Sequence, residues 1–160
     1  HILLPGQSAF NDWPQEPYEY LADILGERRR RLNPLRTFAD HGIIMSAGSD
    51  GPCTAPDPIE WMYRACNHSA PEESLTVQEA LKMCTYNGYY TTFDEKERGS
   101  LEAGKIADMV ILSENPYEKD VKNLRDIQVK QLLLQGRPYK SLKGSAISQV
   151  LKGMRSRSKI

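Results

Sequence analysis

The apolar positions of the chain follow two spacings, and these spacings predict strands and helices in alternation. Short apolar runs bounded by glycine or proline predict strands, the first of them broken at Pro5-Gly6. Apolar positions near the 3.6-residue period predict helices, the second of them opened by an Asn33-Pro34 cap. The elements predicted up to residue 48 are strands within 2–10 and 43–48 and helices over 17–31 and 34–42.

Two helix-start signals follow the second strand. Asp57-Pro58 is an N-cap residue followed by a first-turn proline, which predicts a helix up to about Cys66. Thr76 and Glu79 match a capping box, in which each side chain satisfies a backbone N–H of the other residue. This second signal predicts a helix up to about Tyr90.

After residue 93 the pattern becomes that of antiparallel β-structure. Apolar runs over 107–112 and 129–134 predict strands, and Gly136-Arg137-Pro138 predicts the tight turn of a hairpin. Residues 141–160 carry five basic residues and no acidic one, which is typical of a mobile tail or a marginal amphipathic helix. The predicted fold class is therefore α/β, with strand–helix units over 1–98, β-strands over 99–140 and the basic tail.

Composition limits the classes of partner. The 21 basic and 21 acidic residues cancel, so the net charge does not favour nucleic acid or an anionic membrane. Three cysteines without a CxxC motif argue against a disulfide framework and for a reducing, cytoplasmic location. No apolar stretch approaches the roughly 20 residues of a membrane span. The run of arginines at 28–31 lies at a predicted helix C-terminus, where a solvated face is the simpler interpretation.

Asp50 is the residue whose position most strongly indicates chemistry. It follows the predicted strand 43–48 within Gly48-Ser49-Asp50-Gly51-Pro52, and α/β folds place their functional groups at the carboxyl ends of strands. The residues alone leave two roles open for this carboxylate, which are a functional group in a site or a cap for the following turn.

A series of motifs occurs in order over roughly residues 5–140. The motifs are Gly48–Pro52, Asp57-Pro58-Ile59, Leu75-Thr76, Glu79-Ala80-Leu81, Thr85, Glu95, Gly99-Ser100-Leu101 and the Gly-Lys-Ile-Ala-Asp-Met-Val-Ile-Leu run of 104–112. In these motifs the chain resembles the amidohydrolase superfamily, in the branch that contains N-substituted formamide deformylases and uncharacterised metal-dependent hydrolases.

The resemblance implies the C-terminal part of a (β/α)₈ barrel, followed by strands of a small β-sandwich. Residues 1–98 would supply the last two strand–helix units of the barrel, and 99–140 the sandwich strands. It also implies hydrolysis of non-peptide carbon–nitrogen bonds in a small amide-like substrate, with one or two divalent metals, usually zinc. Asp50 would be both a metal ligand and the catalytic group that takes a proton from metal-bound water.

The chain lacks the other ligands of such a site. It contains no His-x-His motif, and its histidines are His1, His41 and His68. An extended strand places His41 roughly 25–30 Å from Asp50, at ~3.3 Å per residue, and His68 falls in a polar loop that we expect to be exposed. Because zinc takes about four ligands, we expect no metal and no activity in this chain alone.

The same shortage applies to the strands, because two strands cannot close an eight-stranded barrel. We expect their open edges to be covered by the missing part of the chain or by another copy in a homo-oligomer. The alternative function is a non-catalytic, β-rich self-association module whose basic tail contacts anionic partners.

Two further residues have other candidate roles. Cys53 is interpreted as an ordinary loop cysteine, and Asp108 is expected to orient a strand through local backbone hydrogen bonds.

Overall fold

The computed structural model describes residues 2–10 and 13–139 of a mixed α/β chain. The predicted basic tail of 141–160 lies outside these residues. The strands are β1 (Leu3–Gly6), β2 (Ile44–Ala47), β3 (Met109–Leu112), β4 (Val129–Leu134) and β5 (Arg137–Pro138). The α-helices are α1 (Tyr18–Leu25), α2 (Leu35–Asp40), α3 (Pro58–Cys66), α4 (Val77–Cys84) and α5 (Tyr86–Thr91). Short 3₁₀-helices cover Ser8–Phe10, Gly26–Arg31, Pro71–Glu73 and Val121–Asp126.

β1 and β2 form a parallel pair in which Leu3 lies opposite Ile44 and Gly6 opposite Ala47. The strand ends at Gly6, within the Pro5-Gly6 pair where the break is predicted, but Pro5 itself lies inside the ladder. The ladder explains this. The Ile44 N–H donates to Ile2 O, so the even-numbered residues of β1 direct their backbone N–H and C=O groups towards β2. Pro5, which lacks an N–H, directs its backbone groups to the opposite edge of the pair.

The helices cover one face of this parallel pair. A Cβ atom on Gly6 would lie 3.2 Å from Met83 Cε, so a side chain at this position would point into the helical layer. Its strand partner Ala47 and, two residues earlier, the buried Met45 therefore face the same layer. The buried apolar residues of the resulting core are Leu35, Met45, Met62, Ala65, Cys66, Leu75, Ala80, Met83, Leu124 and Ile127.

The predicted helix over 77–90 is divided at Thr85. The capping box is confirmed, since the Thr76 hydroxyl accepts from the Glu79 N–H and the Glu79 carboxylate accepts from the Thr76 N–H. Thr85 then leaves helical geometry with φ −130° and ψ −97°, and α5 begins in a new direction. This direction brings Asn87 to β2, where its side-chain amide donates to Met45 O at 2.7 Å.

β3, β4 and β5 form an antiparallel sheet, and the predicted hairpin is confirmed between β4 and β5. Its turn is Gln135-Gly136 and not the predicted Gly136-Arg137-Pro138, because Arg137 and Pro138 pair with β4. The turn residues have φ of 53° and 73°, the left-handed pair that suits two-residue hairpins. Asp108 accepts from the Gln135 N–H at 2.8 Å and pairs with Arg98. Asp108 thus has the structural role that was predicted, although the backbone group it binds is across the sheet rather than local.

The sheet is joined to the helical layer by the 3₁₀-helix Val121–Asp126. Leu124 of this segment is completely buried in the same core as α3. The Arg125 guanidinium lies 3.8 Å from the centre of the Tyr63 ring and donates to Glu60 at 3.1 Å. The described part of the chain contains no helix that is long and apolar enough to cross a membrane.

Candidate functional site

Asp50 lies in a turn just beyond the carboxyl end of β2, as the sequence predicts. The last ladder bond runs from Gly48 N–H to Gly6 O at 3.0 Å, and Asp50 then adopts a left-handed φ of 50°. The Cys53 N–H donates to Asp50 O, and the Thr54 hydroxyl donates to Ser49 O at 2.6 Å. These bonds fix the backbone on both sides of the carboxylate.

The Asp50 side chain itself is exposed and has no hydrogen bond or ion pair to any other residue that the structure describes. The capping alternative is not supported, because the Ser49 hydroxyl accepts from the Gly51 N–H and Asp57 caps α3. The backbone of this loop is therefore ordered by other residues, and the Asp50 carboxylate is left available to an external group.

Helix α3 contacts both loops that follow the two parallel strands. Parallel strands have their carboxyl ends at the same end of a sheet, so the segments after Gly6 and after Ala47 leave the sheet side by side. The Ser8 hydroxyl, just after β1, donates to Trp61 O of α3 at 2.8 Å, and the Trp61 indole donates to Ala55 O at 3.2 Å. α3 thus holds both loops at the carboxyl end of the strands, where Asp50 lies.

The described residues do not form a metal centre around Asp50. Within 2–10 and 13–139 no group of three or more His, Cys, Asp or Glu residues could hold a metal ion. His41 is exposed at the end of α2, with Nδ1 2.7 Å from Thr37 O. One carboxylate falls short of the roughly four ligands that zinc requires.

His68 is buried, so the expectation that it is exposed is wrong. Only 6% of the residue is accessible, because the loop after α3 folds against the start of α2. The Ala70 N–H donates to His68 Nδ1 at 2.9 Å, and Nε2 donates to Asn33 O at 3.1 Å. Glu73, in the same loop, accepts from both the N–H and the hydroxyl of Thr37. His68 is therefore a structural residue.

This burial predicts that the chain loses stability in mild acid. Burial lowers the pKa of His68, and a neutral Nδ1 is needed to accept from Ala70; the nearby carboxylates of Glu72 and Glu73 only partly oppose the shift. Stability from the neutral ring is complete above the ordinary histidine pKa of about 6.5 and is lost as the pH falls below it. We expect the free energy of unfolding, measured with urea, to fall more between about pH 7.5 and about pH 5.5 for the wild type than for His68→Gln. An equal fall in both proteins would contradict this role of His68.

Cys66, which is buried, and Cys84, which is half-buried, are unsuited to nucleophilic chemistry. Burial raises the pKa of the Cys66 thiol to about 11 and that of Cys84 to about 12, so neither forms a thiolate readily near neutral pH. Cys53 is exposed in the loop after Asp50. All three cysteines are free, in agreement with the prediction of no disulfide framework.

The sequence did not reveal the Arg36–Glu79 pair beside α4. Two nitrogens of the Arg36 guanidinium donate to the two Glu79 oxygens, both at 2.8 Å. The hydrogen bonds from Arg36 lower the pKa of Glu79 to about 2. The capping box identified Glu79 as a local residue, but no pattern links it to a residue 43 positions earlier.

Comparison with known proteins identifies the family. Residues 7–139, most of the chain, match the model of the amidohydrolase family. The chain belongs to the amidohydrolase family. The N-substituted formamide deformylase of Arthrobacter pascens is 33% identical over 134 residues, which are 79% of this chain and 23% of that protein. An amidohydrolase of Bacillus subtilis is 28% identical over 130 residues, which are 74% of this chain and 25% of that protein.

The structural comparison finds proteins of similar fold. An adenosine deaminase from Xanthomonas campestris with bound zinc is similar in fold, with a TM-score of 0.54 and 19% identity, over 79% of this chain and 33% of that one. This amidohydrolase chain spans about a quarter of the length of the two curated relatives described above. The family motifs singled out in the sequence, including 48–52 and 104–112, lie within the matched range.

Proposed function

We propose that this chain is the C-terminal part of a metal-dependent hydrolase that cleaves non-peptide carbon–nitrogen bonds in a small amide-like substrate. The observation that carries the proposal is the position of Asp50 at the carboxyl end of a parallel strand, in a chain of the amidohydrolase family. In this proposal residues 1–98 are the last two strand–helix units of a barrel, and 99–140 are strands of a small β-sandwich.

Asp50 is proposed to act both as a metal ligand and as the catalytic carboxylate. Its exposed side chain has no partner among the described residues, and the turn around it is held by Ser49, Thr54 and Cys53. A carboxylate that is free of internal partners at a fixed backbone position can accept a proton without breaking a structural contact. This arrangement supports a chemical role for Asp50 over a packing role.

The proposed cofactor is a divalent metal, with zinc as the first candidate. The metal does not fit the described residues alone, because they supply one candidate carboxylate and no cluster. We propose that its other ligands come from polypeptide outside this chain, and that the isolated chain is inactive and keeps no metal. The family match does not favour the alternative of a non-catalytic self-association module.

The edges of the parallel pair support association with further strands. Ile44 and Gly48 direct their backbone groups towards β1, so Met45 and Ala47 direct theirs to the other edge of β2. Asn87 covers one of these groups, the carbonyl of Met45. We propose that the remaining barrel strands, or another copy of the chain, pair along this edge.

Metal analysis of the purified protein tests the proposal. We expect substoichiometric zinc in this chain alone, and tightly bound zinc when the chain is produced together with the rest of a family-length polypeptide. Mass spectrometry of the metal content after exhaustive dialysis measures both. Tight one-to-one zinc in the isolated chain would contradict the proposal that further ligands are required. A family-length protein that binds no zinc would contradict the proposal that zinc is the cofactor.

A further inference from the structure

Residues 13–34, here called the α1 segment, lie against the rest of the chain with little burial. The segment connects β1 to α2 and contains α1 and the 3₁₀-helix that follows it. None of its residues, all of which the structure describes, is buried, and the apolar Tyr20 and Ile24 are 51% and 55% exposed. Three of the four arginines at 28–31 are exposed, as predicted for a solvated face. Separation of this segment from the core would therefore expose little additional apolar surface.

Polar contacts connect the α1 segment to residues 67–74, here called the His68 loop. His68 Nε2 donates to Asn33 O at 3.1 Å, and the Arg30 guanidinium pairs with Glu72 at 2.8 Å. Arg30 and Glu72 are both about half exposed, so their ion pair adds little stability. The contact at Asn33 is different, because only 6% of His68 is accessible. A buried hydrogen bond thus fixes the end of the α1 segment, where the chain enters α2.

The His68 loop is itself attached to the core by other residues. The Glu73 carboxylate accepts from both the N–H and the hydroxyl of Thr37 in α2. Leu75, directly after the loop, donates its N–H to Ala65 O of α3, and its side chain lies in the core. These contacts do not involve the His68 ring. They can therefore persist when the contact between His68 and the α1 segment is lost.

The contact at Asn33 requires the neutral ring of His68. Nδ1 accepts from the Ala70 N–H at 2.9 Å, while Nε2 donates to Asn33 O. A proton on Nδ1 places two donors opposite each other at this distance. The protonated ring has to move away from Ala70, and Nε2 moves with it. Protonation therefore breaks both hydrogen bonds of the ring.

The charged groups near the His68 ring only partly stabilise its protonated form. The carboxylates of Glu72 and Glu73 lie on the ring's own loop, and both favour protonation. Arg30 of the α1 segment pairs with Glu72, and Thr37 of α2 donates to Glu73. Burial outweighs the two carboxylates, so the pKa of His68 lies below its ordinary value. The neutral ring is therefore the form present at neutral pH.

We propose that His68 is a pH-sensitive contact that fixes the α1 segment at neutral pH and releases it in mild acid. Protonation of the ring breaks the hydrogen bond to Asn33, the segment separates from the His68 loop, and the core of α2, α3 and α4 stays folded. The segment follows β1 at the carboxyl end of the parallel pair, which is also the end where Asp50 lies. The proposal does not depend on the hydrolase assignment.

Hydrogen exchange of the backbone amides, followed by mass spectrometry of the purified protein, tests the proposal. The rates at about pH 7.5 and about pH 5.5 are corrected for the intrinsic pH dependence of exchange. The opening equilibrium of the wild-type α1 segment should rise several-fold between these pH values. The limit is about tenfold, for a histidine that stays neutral in the closed form and has a pKa of about 6.5 in the open form. Amides of α3 and α4 should keep their protection.

His41→Gln is the matched control for His68→Gln. His41 is exposed at the end of α2, so its replacement should leave the pH response of the α1 segment unchanged. In His68→Gln the segment should open to the same extent at both pH values, because glutamine does not titrate.

Three results would overturn the proposal. Equal protection of the wild-type α1 segment at both pH values would show that the charge of His68 does not control it, and this result requires no variant to fold. An equal loss of protection in α3 and α4 would show that acid opens the whole chain rather than the segment. An unchanged pH response in His68→Gln would assign the response to another group.

Discussion

Replacing Asp50 with asparagine should lower the hydrolytic rate of the protein that contains this chain by at least about 100-fold, without unfolding it. Asparagine has the same shape and tolerates the left-handed φ of 50° that Asp50 adopts, so the turn is kept. The amide carries no negative charge and cannot accept a proton at neutral pH, which removes the proposed chemical role. Steady-state rates, with circular dichroism as a check of the fold, measure the effect.

Asp57→Asn is the matched control for this substitution. Asp57 belongs to the same loop, but its carboxylate accepts from the N–H groups of Ile59 and Glu60 at the start of α3. Asparagine caps helices about as well as aspartate, so the rate should stay close to that of the wild type. A full rate in Asp50→Asn would exclude Asp50 from catalysis. Equal losses in both variants would assign the effect to the structure of the loop.

The elements that the sequence predicts correctly depend on signals within a few residues of each other. Asp57-Pro58 begins α3 where predicted, because the cap and the N–H groups it satisfies are neighbours in sequence. Residues 129–134 form β4 as predicted, and the hairpin follows from the turn beside it. The position of Asp50 just after β2 follows from the same kind of local signal, since an apolar run followed by Gly-Ser-Asp marks a strand end.

The features that the sequence does not predict depend on partners far along the chain. His68 is buried because Asn33, 35 residues earlier, provides an acceptor for its ring. Thr85 interrupts the α4–α5 helix, and the new direction brings Asn87 to the carbonyl of Met45 in β2. Pro5 is tolerated in β1 because its register directs the missing N–H away from β2. Hydrophobic periodicity contains none of this information.

Leu124→Ala should destabilise the protein by about 2–5 kcal/mol, because it removes a fully buried side chain from the core. Leu124 is the apolar anchor of the 3₁₀-helix Val121–Asp126, which precedes β4 and packs against α3. The Arg125 contacts to Tyr63 and Glu60 are more exposed and contribute less. The midpoint of urea unfolding, followed by circular dichroism, measures the change.

Leu101→Ala provides the control, because Leu101 is 81% exposed and its truncation should change the stability by less than about 0.5 kcal/mol. The comparison of these two variants also tests whether packing of Leu124 against α3 affects the Asp50 turn. α3 also supports the loops that follow β1 and β2, the second of which contains Asp50. Removing the Leu124 side chain should therefore increase the mobility of the Asp50 turn, which amide exchange of Cys53 and Thr54 reports. If Leu124→Ala were as mild as Leu101→Ala, the sheet would not depend on α3 for its position, and this link between the two parts of the chain would be wrong.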